Sequence, residues 1–450
     1  MKDRYTDELS LTELLRDPYR VLGTEAANAG LHYCSPAHGG WGVVKVALLV
    51  PEAYLLFVCP SACGRHGAIA AIEQGYRHRI GYLCINDREI VLGDYEAEIE
   101  RAVRELMLRV RPRPKALMIF MSCIDDLLGT DHAASLARME AEQGIPIKIA
   151  RMNPISMDGA LPPGVRVQKS LYEFLEAPMH KDRGIITLVA YRPPTQDSEL
   201  AQLLGYYGFG PLGHPEYCAD FADFKRLSQS AAALILRPEG KAAAEDLHSR
   251  LGIPSLAAFM AFDRPRVLEQ YRRIIAFLRD IDKPSVRSAV DPADYFRDSL
   301  ARREARAAEA RALLGDARVA VDSTVTIAPF DLALALVKEG INVNRIYTAH
   351  LPAFERASLE ELARLKGTII VANPNHVRKY GPPPDQALAD VAVGFEAGYA
   401  SAAPITVPLA FDEQLYGFEG FTLILEGLIR FSREGKSDLR RQVKDYGLVI

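Results

Sequence analysis

No run of apolar residues in this 450-residue chain approaches the roughly 18 to 20 needed to cross a bilayer, so no membrane-spanning helix is expected. Basic and acidic residues nearly balance, leaving a formal net charge of −4. That is no electrostatic footprint for nucleic acid or an anionic membrane, and neither partner is expected. The opening stretch MKDRYTDELSLTELLRDPYR is charged and lacks the apolar core of a secretory signal, which predicts a cytoplasmic location. Six cysteines are too few for a disulfide framework, and a reducing compartment disfavours one. Catalytic signatures are missing too: there is no P-loop, H-E-x-x-H, G-x-S-x-G or C-x-x-C. The chain itself is therefore a poor NTPase, zincin, α/β hydrolase or thioredoxin. Gly208, Gly210 and Gly213 formally satisfy G-x-G-x-x-G, but they follow a helical stretch and enclose Pro211. Without a strand before it, the motif reads as a glycine-rich loop.

What remains is ordinary globular composition, 49% hydrophobic and 25% charged, in a chain long enough to bury a large core. Its chemistry concentrates between His32 and His132. Cys34, Cys63 and Cys123 stand in HYCSPAHGGWGVV, LLFVCPSACGRHGA and ALMIFMSCIDDLLGTDH, each beside small or turn-forming residues. Cys59 adds a sulfur four positions before Cys63. Thiolates presented on glycine-rich turns suit an iron–sulfur cluster, because soft sulfur binds iron and a small residue lets backbone N–H groups reach the sulfides. Cys84, in YLCIND, and Cys218, in HPEYCAD, read instead as small buried hydrophobes. His38, His66 and His132 lie beside the cysteine turns, where hydrogen-bonded or surface roles are expected ahead of proton shuttling. Asp125 and Asp126 read as helix caps rather than ligands.

Short apolar runs alternate with amphipathic stretches throughout. Strands are predicted at 53–58, 82–86, 116–121 and 146–150, with a helix beginning near Ala68 and another over 94–110, where Ile99, Val103, Leu106 and Val110 share a face. Cys123 falls just past the 116–121 strand, where open parallel sheets place ligands. The rhythm recurs from Gly184 and again after the Arg/Ala/Glu-rich stretch 296–314. The expected fold is α/β, with three tandem doubly wound, Rossmann-like parallel-sheet units. Their expected bounds are 1–183 for a cluster-binding domain, 184–295 for a second α/β domain, and 296–450 for a third with C-terminal helices.

The cysteine segments resemble those of the nitrogenase component 1 and nitrogenase-like oxidoreductase superfamily. Cys34-Ser35-Pro36-Ala37-His38-Gly39 resembles the family's first cluster-ligand turn. Val58 to Gly64 resembles the loop carrying the second ligand, which falls on Cys63. Cys123 with Gly129-Thr130-Asp131 resembles the third. VAYRPPTQDSELAQLLGYYG, HSRLGIPSL and LYGFEGFTLILEGL resemble later parts of the family, so the likeness covers most of the chain. It departs where nitrogenase attaches its catalytic cofactor. LILRPEG has no cysteine, and VPLAFDEQLY, before Gly417, has no histidine.

The resemblance implies an iron–sulfur cluster, 4Fe–4S or larger and P-cluster-like, held by Cys34, Cys63 and Cys123. Cys59 or a partner chain would supply a further ligand, and Gly39, Gly64 and Gly129 would donate backbone N–H bonds. The implied partners are an ATP-dependent iron protein as electron donor and either a paralogous subunit or a second copy of this chain. The implied activity is an ATP-dependent two-component reductase, with methylthio-alkane C–S reduction favoured over tetrapyrrole reduction. A scaffold for metal-cluster assembly, or a sugar- or nucleotide-binding protein with incidental cysteines, stands as the alternative. Catalytic residues are not assigned.

Overall fold

The computed structural model describes residues 8–17, 46–73, 75–92, 95–151, 162–281, 290–374, 386–410 and 415–446. Within them, fourteen strands form three sheets. After β1 (Glu8–Ser10), the first sheet comprises β2 (Ala53–Cys59), β3 (Ile80–Cys84), β4 (Ala116–Met121) and β5 (Ile147–Arg151), in the order β3-β2-β4-β5. The second comprises β6 (Asp182–Val189), β7 (Leu212–Gly213), β8 (Ser230–Ile235) and β9 (Ser255–Ala257), in the order β7-β6-β8-β9. The third is built from β10 (Val319–Asp322), β11 (Val343–Tyr347), β12 (Ile370–Ala372), β13 (Val391–Val393) and β14 (Ile405–Val407). Its order is β1-β12-β11-β10-β13-β14, and β1 on β12 is the antiparallel pair. All other ladders are parallel.

The described residues of Trp41–Tyr191 and Phe209–Ala257 make one compact unit, holding the first two sheets. Those of Met1–Gly40, Arg192–Gly208 and Ala258–Ile450 make the other, holding the third. Three sheets wound with helices, parallel but for β1, are the α/β architecture the alternating pattern predicted.

The first sheet shows why its strands read as unbroken apolar runs. Leu56, Val58, Leu117, Ile119 and Met121 face one core with Ile99, Val103 and Leu106 of the helix Tyr95–Arg109. Leu55, Phe57, Cys59, Met118 and Phe120 face a second core on the opposite side. A parallel sheet covered on both faces buries both sets of its period-two alternation. At about 1.5–3 kcal/mol for each large apolar side chain removed from water, this sandwich supplies much of the unit's stability. The outer edge of β5 is closed by side chains. Glu140 accepts the Ile147 N–H at 2.8 Å, and the Ser170 hydroxyl donates to the Ile149 carbonyl at 3.0 Å. Those contacts satisfy groups that would otherwise template another strand.

Two of the boundaries that differ from the sequence reading bear on candidate cluster cysteines. The helix expected near Ala68 starts at Ser61, so Cys63 and Gly64 sit in its first turn rather than in a loop. The Pro60 carbonyl accepts the N–H of Cys63 at 3.0 Å and of Gly64 at 3.4 Å. Glycines near a turn suggested a loop; here Gly64 and Gly67 let the helix approach the sheet. A Cβ on Gly64 would lie 3.0 Å from a ring carbon of Tyr82, and one on Gly67 3.3 Å from a ring carbon of Phe57. Similarly, a short helix (Cys123–Leu128) precedes the one at Ala133–Gln143, and Cys123 is its first residue.

Candidate metal centre at the carboxyl edge of the first sheet

The strand order of the first sheet fixes a topological switch point. The chain steps outward from β2 to β3, then returns to the other side of β2 for β4 and β5. Between β2 and β4 the two connections diverge and leave a crevice at the carboxyl ends, where open α/β sheets bind ligands. Val58 and Met121 are register partners, and the Ser122 N–H donates to the Val58 carbonyl at 3.1 Å. Cys59 ends β2, Cys63 follows within one helical turn, and Cys123 lies two residues beyond β4. Cys84 ends β3 on the same edge. The fold therefore carries four cysteines to one edge of one sheet.

Their environments differ. Cys63 and Cys123 are half-buried, whereas Cys59 is wholly buried and belongs to the apolar core under the helix Ser61–Glu73. Burial, followed by the neighbouring Cys84 and Cys63 thiols, pushes the Cys59 thiol up to about 12. Cys84, read from sequence as a buried hydrophobe, is exposed because it terminates an edge strand. Cys218 is half-buried, and its thiol donates to the His214 carbonyl at 3.3 Å. Cys34, His38 and Gly39 lie outside the described residues, as does the His66 side chain.

The backbone N–H groups of two expected cluster donors are engaged elsewhere. Gly64 bonds the Pro60 carbonyl, and Gly129 closes the Cys123–Leu128 helix at φ 66°, bonding the Asp125 carbonyl at 3.0 Å. Gly64 makes room for Tyr82, and Gly129 ends a helix.

Immediately behind Cys123 lies a buried polar network. The Asp125 carboxylate accepts from His132 Nε2 at 2.5 Å, the Tyr95 hydroxyl at 2.8 Å and Arg151 Nε at 2.9 Å. Tyr95 also bonds Thr130, and Arg151 donates to the Thr130 carbonyl at 3.2 Å. Burial by itself would raise the Asp125 carboxyl, but the donors from His132, Tyr95 and Arg151 win and hold it below its ordinary value. Asp126 pairs with Arg166 at 3.0 Å. Neither Asp125 nor Asp126 caps the helix Ala133–Gln143, whose first N–H, that of Ala133, is instead accepted by Asp131 at 3.0 Å. His132 thus has a hydrogen-bonded role, and Asp125 anchors the turn rather than capping a helix. Sequence reasoning missed Tyr95, which looked like an ordinary member of a helix, and Arg151, which fell just outside the strand expected at 146–150 and in fact ends it.

A cleft of about 550 Å³ opens beside this network, between the helices Ala133–Gln143 and Pro163–Tyr172. Each of its four cations has a carboxylate partner: Lys148 with Glu140, Lys169 with Glu173, Arg151 with Asp125, and Arg166 with Asp126.

Among the described residues no group of three His, Cys, Asp or Glu side chains is arranged to hold a metal ion. Cys63 and Cys123 nonetheless suit an iron–sulfur group in kind. They are soft, half-open sulfurs at the ends of hydrogen-bonded neighbouring strands. Two thiolates do not complete a cluster, so the remaining ligands must come from elsewhere on this chain or from another.

The other unit spends its buried carboxylates on structure. Asp322 ends β10 at the switch point of the third sheet, beside β13. It accepts the N–H groups of Thr324 at 2.8 Å and Ala397 at 2.6 Å, and burial pushes its carboxyl up to about 6. Glu199 is likewise buried and caps the helix Gly417–Glu434, accepting from Phe418 N at 2.5 Å and Glu419 N at 2.9 Å. Glu419 returns the contact by accepting the Glu199 N–H at 3.1 Å. Gly417 adopts φ 71°, and a Cβ there would fall 1.8 Å from Glu199 Oε1. The Gly-Phe-x-Gly-Phe segment is therefore a helix start that only glycine can make against that carboxylate.

Doubly wound, mostly parallel sheets, with two half-buried thiols at the switch point of the first, define an α/β protein. A sequence-family model described as nitrogenase component 1 type oxidoreductase matches residues 39–411, and the chain belongs to that family. A solved structure described as nitrogenase Cp1 at pH 6.5 is similar over 90% of this chain and 93% of its own, with TM-score 0.64 and 13% identity. Another, nitrogenase Cp1 at pH 5, is similar over 96% and 95%, with TM-score 0.60 and 14% identity. At such identities the likeness is one of fold. No curated protein matches the chain in sequence. Among the described residues no helix is long and apolar enough to cross a membrane.

Proposed function

We propose that this chain is a subunit of the catalytic component of a nitrogenase-like, ATP-dependent two-component reductase. In this reading Cys34, Cys63 and Cys123 hold an iron–sulfur cluster, 4Fe–4S or P-cluster-like, with the remaining ligand from a paralogous partner subunit or a second copy of this chain. The observation that carries it is the arrival of Cys63 and Cys123, from separate segments, at the switch point of a sheet in a chain of the nitrogenase component 1 family. Cys59, the other sulfur the sequence offers, is a weaker donor, because burial resists the thiolate that iron requires.

When bound, the group relays single electrons from an ATP-hydrolysing iron protein towards a reducible substrate. The protein's part is positional. The Asp125 network fixes the turn that carries Cys123, and Gly64 seats the helix that carries Cys63 against Tyr82. The absence of cysteine from LILRPEG and of histidine from VPLAFDEQLY argues against dinitrogen reduction on this chain. Methylthio-alkane C–S reduction is the favoured substrate class, because all three α/β units are present; tetrapyrrole reduction is the alternative.

The test is anaerobic co-expression with a neighbouring iron protein and partner subunit, followed by iron and sulfide analysis and electron paramagnetic resonance. Cys63→Ser and Cys123→Ser should each lower iron content and alter the spectrum. Colourless, iron-free protein from anaerobic purification would overturn the reading. A cluster that passes intact to an acceptor protein, without substrate turnover, would assign the chain to cluster assembly instead.

A further inference from the structure

Cys59 and Cys84 are the last residues of adjacent parallel strands and are direct register partners. Strand neighbours lie about 4.8 Å apart, within the Cα separations a disulfide spans. Their side chains leave the same face of the sheet. Phe57 and Tyr82, two residues earlier on each strand, are also partners, and their rings meet with centroids 6.0 Å apart on that face. The two sulfurs differ in access: Cys84 is exposed, and Cys59 is buried, its Sγ 3.5 Å from the place a Cβ on Gly64 would occupy. An exposed thiol backed by a buried one is the arrangement of an attacking and a resolving cysteine.

We propose that Cys59 and Cys84 form a redox-responsive dithiol that a peroxide converts to a disulfide. The Cys84 thiolate attacks one peroxide oxygen, the O–O bond breaks, and a sulfenic acid forms on Cys84 as hydroxide leaves. The Cys59 sulfur then displaces that hydroxyl, the S–S bond forms, and water departs with the Cys59 proton. Two thiols lose two electrons and one hydrogen peroxide becomes two waters. A small dithiol reverses the change by exchange. The bond would tie the end of β2 to the edge strand directly beneath the turn bearing Cys63, so oxidation at an exposed sulfur reports to the candidate metal centre. Burial of Cys59 makes the second step the slow one. The pair needs no iron at this edge, so its fate is separable from that of the proposed function.

The experiment uses the full chain, purified anaerobically under reductant, desalted and treated with hydrogen peroxide. It is then unfolded, alkylated and mapped by mass spectrometry without reduction. The expected result is a peptide pair linked through Cys59 and Cys84 that dithiothreitol separates. In Cys84→Ser, Cys59 should alkylate to the level of untreated protein. In Cys59→Ser, the Cys84 sulfenic acid should persist and be captured by a carbon-nucleophile probe such as dimedone. Undiminished alkylation of Cys59 in the treated native chain would overturn the proposal. So would linkage of Cys84 to Cys63, or Cys84 passing to sulfinic acid with Cys59 still free.

Discussion

The buried carboxylate of Glu199 should make one helix start sensitive to pH. Burial is the largest influence on it and outweighs the donors from Tyr271, Phe418 and Glu419, pushing its carboxyl from 4.5 up to about 7. A carboxyl raised on folding is protonated in the folded chain at pH values where the unfolded chain has ionised. Its stabilisation is fully present below pH 4.5 and is lost as pH rises towards 7. The window corresponds to roughly 3 kcal/mol of local stability, or about a hundredfold in an opening equilibrium. Because the chain forms two compact units, a local readout is better than a global melt. Amide hydrogen exchange of a peptide spanning 416–424, corrected for intrinsic rates, should show protection falling about a hundredfold between pH 4.5 and 7.5. Glu199→Gln removes the titrating group and should flatten that dependence. At low pH the variant should stay within about 1–2 kcal/mol of wild type, because one cap bond becomes a donor–donor contact. Protection that does not change with pH in the wild-type chain, or an equal slope in Glu199→Gln, would refute the reasoning.

Other expectations follow from the same kind of contact. Gly64→Ala places a methyl 3.0 Å from the Tyr82 ring and should cost about 1–3 kcal/mol in urea unfolding of the unit that holds the first two sheets. Asp125→Asn leaves Arg151 facing an amide and should cost about 2–4 kcal/mol, read by exchange of the segment 123–132. Because Asp125 is held below its ordinary 3.8, wild-type protein should lose this stabilisation as pH falls beneath that value, and the asparagine variant should lack that acid limb. Gly417→Ala, with its Cβ 1.8 Å from Glu199 Oε1, should displace the start of the helix Gly417–Glu434, visible as lost protection over its first turn.

Much of the layout is legible in the sequence. The 116–121 strand is found at Ala116–Met121, and the 94–110 amphipathic stretch is the helix Tyr95–Arg109. Both were readable because their periodicity directly expresses which face is buried. The start of the helix at Ser61 was not legible, since Gly64 and Gly67 carry opposite meanings in a loop and in a helix packed on aromatic rings. Cys84 was misread for a related reason. A cysteine in an apolar run is usually interior, but this one terminates an edge strand, and strand order is a long-range property.

The sequence alone determined the α/β rhythm and the kinship with nitrogenase component 1, because both are written in local pattern: apolar spacing, and cysteines beside small residues. Only the tertiary structure decided which cysteines share an edge, which one is sealed in the core, and which carboxylates are neutralised by partners dozens of residues away. Those outcomes depend on strand order and burial, which arise when distant segments pack and so leave no signature in any single stretch of the chain.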